Sequence, residues 1–292
     1  MPSPLLPAEL IDREVEAICE RYKVTIEQAQ EIVAVCFGEK PDLVARIGDE
    51  HGTQDVTRWK DYRKVVKEVR KRVYYLLRRY HGDRDEESRL RGELAACLAE
   101  SDHSRIPDIV SALSQLHVST RERYPYLDAF YSLLFGEIEV RERVLDVGCG
   151  FHPLTYPFGE ETKRYVGVEK DLETYETLCV FAPMAEPSKL VPICGSFEEV
   201  ASDSALTESE PFDVAFMFKL VPVIARAEPD SLGLLAKIQA DLLVVTASKE
   251  AMTRNEDVSR REDKSLRAFV EMTGRSDISR FDVGNEFGYF VR

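Results

Sequence analysis

The chain is predicted to be α/β: a mostly parallel sheet with a C-terminal antiparallel hairpin, preceded by an all-helical N-terminal domain. Three observations predict this. Residues 143–292 alternate short β-rich runs with helical runs, the pattern of strands joined by crossovers. Residues 1 to about 135 carry apolar residues at helical spacing and almost no strand pattern. Two close β-rich runs, 278–283 and 287–291, end the chain. The domain boundary is expected between 115 and 116, giving a helical domain over 1–115 and an α/β domain over 116–292.

The helices are justified in order. The first is expected near 8–22. The second starts at Thr25, where TIEQ reads as a capping box, and stops at Gly38. Pro41 opens a short third. A long helix is expected over 54–80, and another over 85–100. Pro107 opens the next, and a last one covers 121–135. The strands expected are 143–147, 165–168, 190–194, 212–218 and 242–246. Helices are expected at 171–181, 231–239 and 259–272.

Of 292 residues, 44% are apolar and 32% charged, which excludes a disordered or collagen-like chain. No apolar run reaches the roughly 18–20 residues that span a bilayer, and the first residues lack the basic n-region of a signal peptide. No membrane association is expected. The six cysteines form no CxxC pair and read as reduced thiols of a cytoplasmic protein. The five histidines are scattered, so no metal site is expected. The formal net charge of −14 argues against non-specific nucleic-acid binding.

The candidate ligand site follows the first strand. Asp146, Gly148 and Gly150 form a D-x-G-x-G turn at its C-terminal end, where such sheets bind ligands. The second strand ends in Glu169, 19 residues after Gly150, where a carboxylate can take both ribose hydroxyls. A dinucleotide fingerprint would need a third glycine at 153, which is Pro and removes an amide that a pyrophosphate wants. An adenosine cofactor without pyrophosphate fits these residues: S-adenosyl-L-methionine. The plain alternative is that the glycines only turn the chain. Lys219 follows the fourth strand and is placed to meet cofactor or phosphate, or to snorkel at a sheet edge.

RVLDVGCG with VGVE resembles the class I methyltransferase signature, which implies a Rossmann-like fold. LHVSTRERYPYLDAFYSLLF, DVGCGFHPL, FMFKLVPVIAR and GNEFGYFV are similar to segments of the Arm/Rmt aminoglycoside-resistance methyltransferases, over residues 116–292. That family modifies a guanine N7 in the decoding site of 16S rRNA. The resemblance implies that Gly148 and Gly150 line the methionine end of the cofactor, Glu169 holds the ribose, and Ser196 and Phe197 flank the adenine. It implies that Arg123 approaches the cofactor carboxylate, a bidentate role natural to Arg. The alternative is a solvated helix start, since Ser119 to Glu122 reads as a capping box. The chain departs from the family at two places. Ser196 stands where the family tends to carry Asp, and TASKEAMTRNEDVSRRED replaces a Gly/Arg-rich loop on the substrate side.

Neutral guanine N7 carries a lone pair and loses no proton, so no general base is expected. Phe151, Tyr156, Phe158 and Tyr124 are candidates to stack a flipped base. RNA docking is assigned to the long helix. Residues 58–80 hold ten Lys/Arg against two acids, with Lys60, Lys64, Lys67 and Lys71 as one stripe and Arg78 beyond it. The expected partner is 16S rRNA within the small ribosomal subunit, met by a monomer. Two other readings stay open: a small-molecule methyltransferase with a helical lid, and a non-enzymatic ribosome-binding protein on this fold.

Overall fold

The structure is a computed structural model, and it describes residues 6–22, 24–50, 52–77, 83–100, 103–185, 189–200, 206, 211–251, 253–254 and 256–292. The chain forms two compact units, one of residues 1–79 with 250–257, the other of residues 80–249 with 258–292.

The first unit is helical. It contains α1 (Ala8–Arg21), α2 (Ile26–Gly38), α3 (Pro41–Glu50) and α4 (Lys60–Leu77). The Thr25 capping box forms as expected: Gln28 N–H donates to Thr25 Oγ1 and Thr25 N–H to Gln28 Oε1. The long helix expected over 54–80 is interrupted. A 3-10 turn at Val56–Arg58 ends in extended backbone at Trp59, and α4 starts after it. Val65, Val66, Val69 and Val73 of α4 pack with Val33, Phe37, Val44 and Ile47 in the core. Tyr62 donates to the buried Glu14 carboxylate at 3.0 Å, giving that core one satisfied polar pair. The segment 250–257 joins this unit by an antiparallel bridge between Tyr22 and Arg254, whose guanidinium also lies over the Tyr22 ring.

The second unit holds α5 (Arg84–Glu100), α6 (Ile106–Leu116), α7 (Val118–Arg123) and α8 (Leu127–Glu137), then the sheet. The single helix expected at 121–135 is divided: Pro125 cannot donate a helical hydrogen bond, and Tyr124–Tyr126 is a 3-10 turn. The strands are β1 (Arg143–Val147), β2 (Arg164–Glu169), β3 (Lys189–Cys194), β4 (Phe212–Phe218), β5 (Ala240–Ser248), β6 (Ile278–Val283) and β7 (Glu286–Val291). Their order is β3-β2-β1-β4-β5-β7-β6, parallel except for the antiparallel β5–β7 and β6–β7 pairs. The expected sheet and terminal hairpin are therefore present. Pro192 lies in edge strand β3, where a missing donor is tolerated.

Alternation along the strands builds two cores. Val144, Val214, Phe216 and Phe218 face one side, with Leu90, Leu94, Ile109, Leu113, Phe130 and Leu134. Leu145, Val147, Ala215 and Met217 face the other, with Leu266, Phe269 and Val270 of α13 (Ser259–Thr273). A parallel sheet needs both faces covered. Helices α5 and α6 cover one of them, so the division of the chain falls near residue 80 instead of the expected 115/116. Four further helices complete this unit: α9 (Leu172–Phe181), α10 (Phe197–Val200), α11 (Val221–Ala227) and α12 (Leu232–Leu235). The helix expected at 231–239 is shorter, and α11 is an addition to the expected elements.

Candidate cofactor site

The strand order reverses between β1 and β4, and a cavity of about 460 Å³ opens over the C-terminal ends of β1, β2, β3 and β4. Gly148, Glu169, Ser196, Phe197 and Lys219 line it, together with His117, Ser119, Glu198, Leu220 and Ser231.

The turn after β1 is tightly packed and needs glycine. Gly148 and Gly150 have φ of 66° and 50°, a region that favours glycine. A Cβ on Gly148 would lie 2.9 Å from Leu220, and one on Gly150 would lie 2.8 Å from the His117 ring. Gly150 does not line the cavity itself. Its N–H donates to Glu169 Oε2 at 2.9 Å, and Asp171 N–H donates to Oε1 at 2.9 Å. Glu169 lines the cavity and is only 9% exposed. Burial pushes its carboxyl above the usual range, against the pull of those backbone donors.

Asp146 does not line the cavity. It is 1% exposed, and its Oδ2 accepts from Tyr165 Oη at 2.6 Å and lies 2.8 Å from His152 Nδ1. Burial lowers the His152 pKa, against the pull of the Asp146 carboxylate. Asp146 thus anchors the turn from below. Cys149 is buried, and burial raises its thiol far above the ordinary value, which suits a packing residue.

Arg123 departs furthest from expectation. It is 2% exposed and does not reach the cavity. Its Nε and Nη2 donate to Glu286 Oε1 and Oε2, both at 2.9 Å, and its guanidinium lies over the rings of Phe130 and Phe218. Glu286 also accepts from Tyr126 and Thr246. Two lysines, Lys170 and Lys219, do line the cavity; Nζ of Lys219 lies 2.8 Å from Glu122 and 3.5 Å from Glu286. The Ser119–Glu122 capping box is therefore not made: α7 has no side-chain cap.

Ser196 caps α10, accepting from Glu199 N–H, while its own N–H donates to Glu199 Oε2. Beside it, Glu198 accepts from Ser231 at 3.0 Å and narrows that end of the cavity. Phe151 and Tyr156 are core residues, Phe158 packs against them, and Tyr124 stays 39% exposed.

On α4, Lys60, Lys64, Lys67 and Lys71 are all exposed and share one face of the helix, as expected, but two of them have acids beside them. Lys64 lies 3.6 Å from Asp61, and Lys71 3.9 Å from Glu68. Lys60, Arg63, Lys67 and Arg70 are exposed on one face, with no ion pair among the described residues. Arg78 lies outside the described residues. No helix among them is long and apolar enough to cross a membrane, and no group of three or more His, Cys, Asp and Glu among them is placed to hold a metal ion.

The family model for ribosomal RNA methyltransferase (FmrO) matches residues 36–286, which takes in most of the helical unit, the D-x-G-x-G turn and Glu286. The chain belongs to the FmrO ribosomal RNA methyltransferase family. Two relatives carry the description 16S rRNA (guanine(1405)-N(7))-methyltransferase. The protein of Frankia casuarinae is 28% identical over 136 residues, 46% of each chain. The protein of Micromonospora echinospora is 25% identical over 203 residues, 68% of this chain and 72% of that one. The chain thus spans about half the length of the first relative. The solved structure of 16S rRNA methyltransferase RmtF with S-adenosyl-L-homocysteine is 23% identical, with a TM-score of 0.56 over 91% of this chain and 98% of that one. That likeness gives this FmrO member the fold of a known rRNA methyltransferase.

Proposed function

We propose that this FmrO family member uses S-adenosylmethionine to methylate guanine N7 in the decoding site of 16S rRNA, as a cytoplasmic monomer acting on the small ribosomal subunit. The observation that carries this reading is the family match over 36–286, supported by relatives described as guanine-N7 methyltransferases of 16S rRNA.

The cavity suits the cofactor. Its volume lies in the usual range for small-molecule sites, about 300–1,000 Å³. Gly148 lines it with no side chain of its own, and the Glu169 carboxylate keeps acceptor capacity toward the cavity for ribose hydroxyls. Ser196 and Phe197 are assigned to the adenine end. Lys219, in place of Arg123, is the cation for the cofactor carboxylate, because Glu286 consumes Arg123. Bound there, the cofactor supplies a sulfonium methyl group. The chain's residues hold and orient it, and alignment of the two reactants accounts for the rate. Lys60, Arg63, Lys67 and Arg70 are assigned to RNA phosphates.

The test is RNA-dependent transfer. Purified small subunits, incubated with the protein and methyl-labelled S-adenosylmethionine, are expected to carry the label in 16S rRNA. Label that never enters the rRNA, while the protein binds S-adenosylhomocysteine, would overturn the assigned substrate.

A further inference from the structure

We infer that Glu122 is a positioning residue that occupies the carboxylate-binding cation of the cavity, so that a ligand bearing an α-carboxylate competes with it for Lys219. The inference rests on the cofactor reading above and deepens it.

Lys219 is the only described non-glycine residue with positive φ, 57°. That conformation is strained for a residue with a Cβ. It is held by hydrogen bonds from Lys219 N–H to Thr246 O and Oγ1, at 3.0 and 3.1 Å. The bend at the end of β4 sends the side chain along the cavity wall, and its ammonium is nearly buried.

Two carboxylates lie within reach of Nζ, and they are unequal. Glu286 is fully buried, and both its oxygens are engaged by Arg123, with Tyr126 and Thr246 adding one bond each. Its approach to Lys219 is the longer one, at 3.5 Å. Glu122 makes the short approach, 2.8 Å, and is 21% exposed. No other hydrogen bond or ion pair holds the Glu122 side chain among the described residues. Its carboxylate is therefore the less firmly held of the two. Arg123, Lys219, Glu122 and Glu286 sum to zero charge, so an incoming carboxylate meets no net attraction until Glu122 withdraws from Lys219. The other lysine of the cavity wall, Lys170, is exposed and cannot substitute for a nearly buried cation.

The test measures three ligands by calorimetry on the full chain and on Glu122→Gln: S-adenosylhomocysteine, its decarboxylated analogue and its deaminated analogue. The substitution is expected to tighten S-adenosylhomocysteine and the deaminated analogue by about three- to tenfold and leave the decarboxylated one unchanged. Lys219→Met is expected to abolish that difference. Glu122→Ala, with its melting temperature measured, guards against a Gln variant that fails to fold. Unchanged affinity for all three ligands overturns the inference, as does equal tightening of all three. Weaker S-adenosylhomocysteine binding that is absent with the deaminated analogue also overturns it, and gives Glu122 to the ligand's ammonium. A parent protein that binds none of the three overturns the cofactor reading itself, and this inference with it.

Discussion

Arg123 and Glu286 form a bidentate ion pair with both side chains almost completely buried, 2% and 0% exposed, joining α7 to the first residue of β7. The pair ties a helix at the front of the α/β unit to its penultimate sheet strand, 163 residues away in sequence. Breaking one half of such a pair leaves a buried charge without a partner. Glu286→Gln is expected to lower unfolding free energy by about 3–5 kcal/mol, measured by chemical denaturation. The double variant Arg123→Met with Glu286→Gln is expected to cost less than the sum of the two single changes, because it removes both charges. Strict additivity would mean the two residues act independently.

The same pair sets an acid limit. Burial pushes the Glu286 carboxyl up, but the charges of Arg123 and Lys219 and the hydrogen bonds from Arg123 and Thr246 outweigh it and bring the carboxyl down from 4.5 to about 2. A carboxyl lowered on folding contributes stability that is fully present above its unfolded value and is lost as pH falls through its folded value. The loss is therefore expected between about pH 4.5 and 2. Glu286→Gln should flatten that limb of a stability–pH curve. An unchanged limb would place the acid sensitivity elsewhere.

His117 presses on the glycine turn. Gly150→Ala adds a methyl 2.8 Å from the ring of His117 at a φ of 50°, so both space and backbone resist it. The turn that presents its N–H to Glu169 must shift. S-adenosylhomocysteine affinity is expected to fall about tenfold or more, since a loss near 1.4 kcal/mol suffices for tenfold. His117→Gly in the same chain should restore part of it by relieving the clash. Equal loss with and without His117 would assign the defect to backbone strain alone.

The basic face of α4 separates from the cofactor site in the same way. Lys60, Arg63, Lys67 and Arg70 replaced together by Ala should leave S-adenosylhomocysteine binding intact. Each phosphate left without its cation lowers the slope of log affinity for RNA against log salt by roughly 0.7–0.9, so four give a change of about 3. Replacing only Lys64 and Lys71, which lie near Asp61 and Glu68, should change the slope less. The reverse order would return the docking stripe to the lysines alone.

Strand–helix alternation in the sequence predicts the sheet and its terminal hairpin, and Gly148, Glu169, Ser196, Phe197 and Lys219 do line one cavity. Arg123 is not legible locally, because its sequence neighbours, Arg121 and Glu122, look like a solvated helix start. What settles its fate is Glu286, a residue of a distant strand that pattern reading cannot bring to it. A signal is present nonetheless: in GNEFGYFV one Glu opens the largely apolar run EFGYFV, and a buried acid demands a cation. The D-x-G-x-G motif suggests a ligand contact for Asp146, yet strand alternation puts it on the face of Val144, toward Tyr165 and His152. The Lys60/Lys64/Lys67/Lys71 stripe is legible from its charge and its three- and four-residue spacing. Helical geometry adds Arg63 and Arg70 to that face and sets Lys64 and Lys71 beside acids.

The identity of the modified atom tests the central claim most directly. Small subunits treated with the protein and S-adenosylmethionine yield 16S rRNA that can be reduced with borohydride and cleaved with aniline, a reaction specific for N7-methylguanine. The account predicts one new cleavage, at a guanine of the decoding site, absent when Glu169→Ala replaces the parent protein. Methyl incorporation without cleavage, or cleavage outside the decoding site, would contradict it.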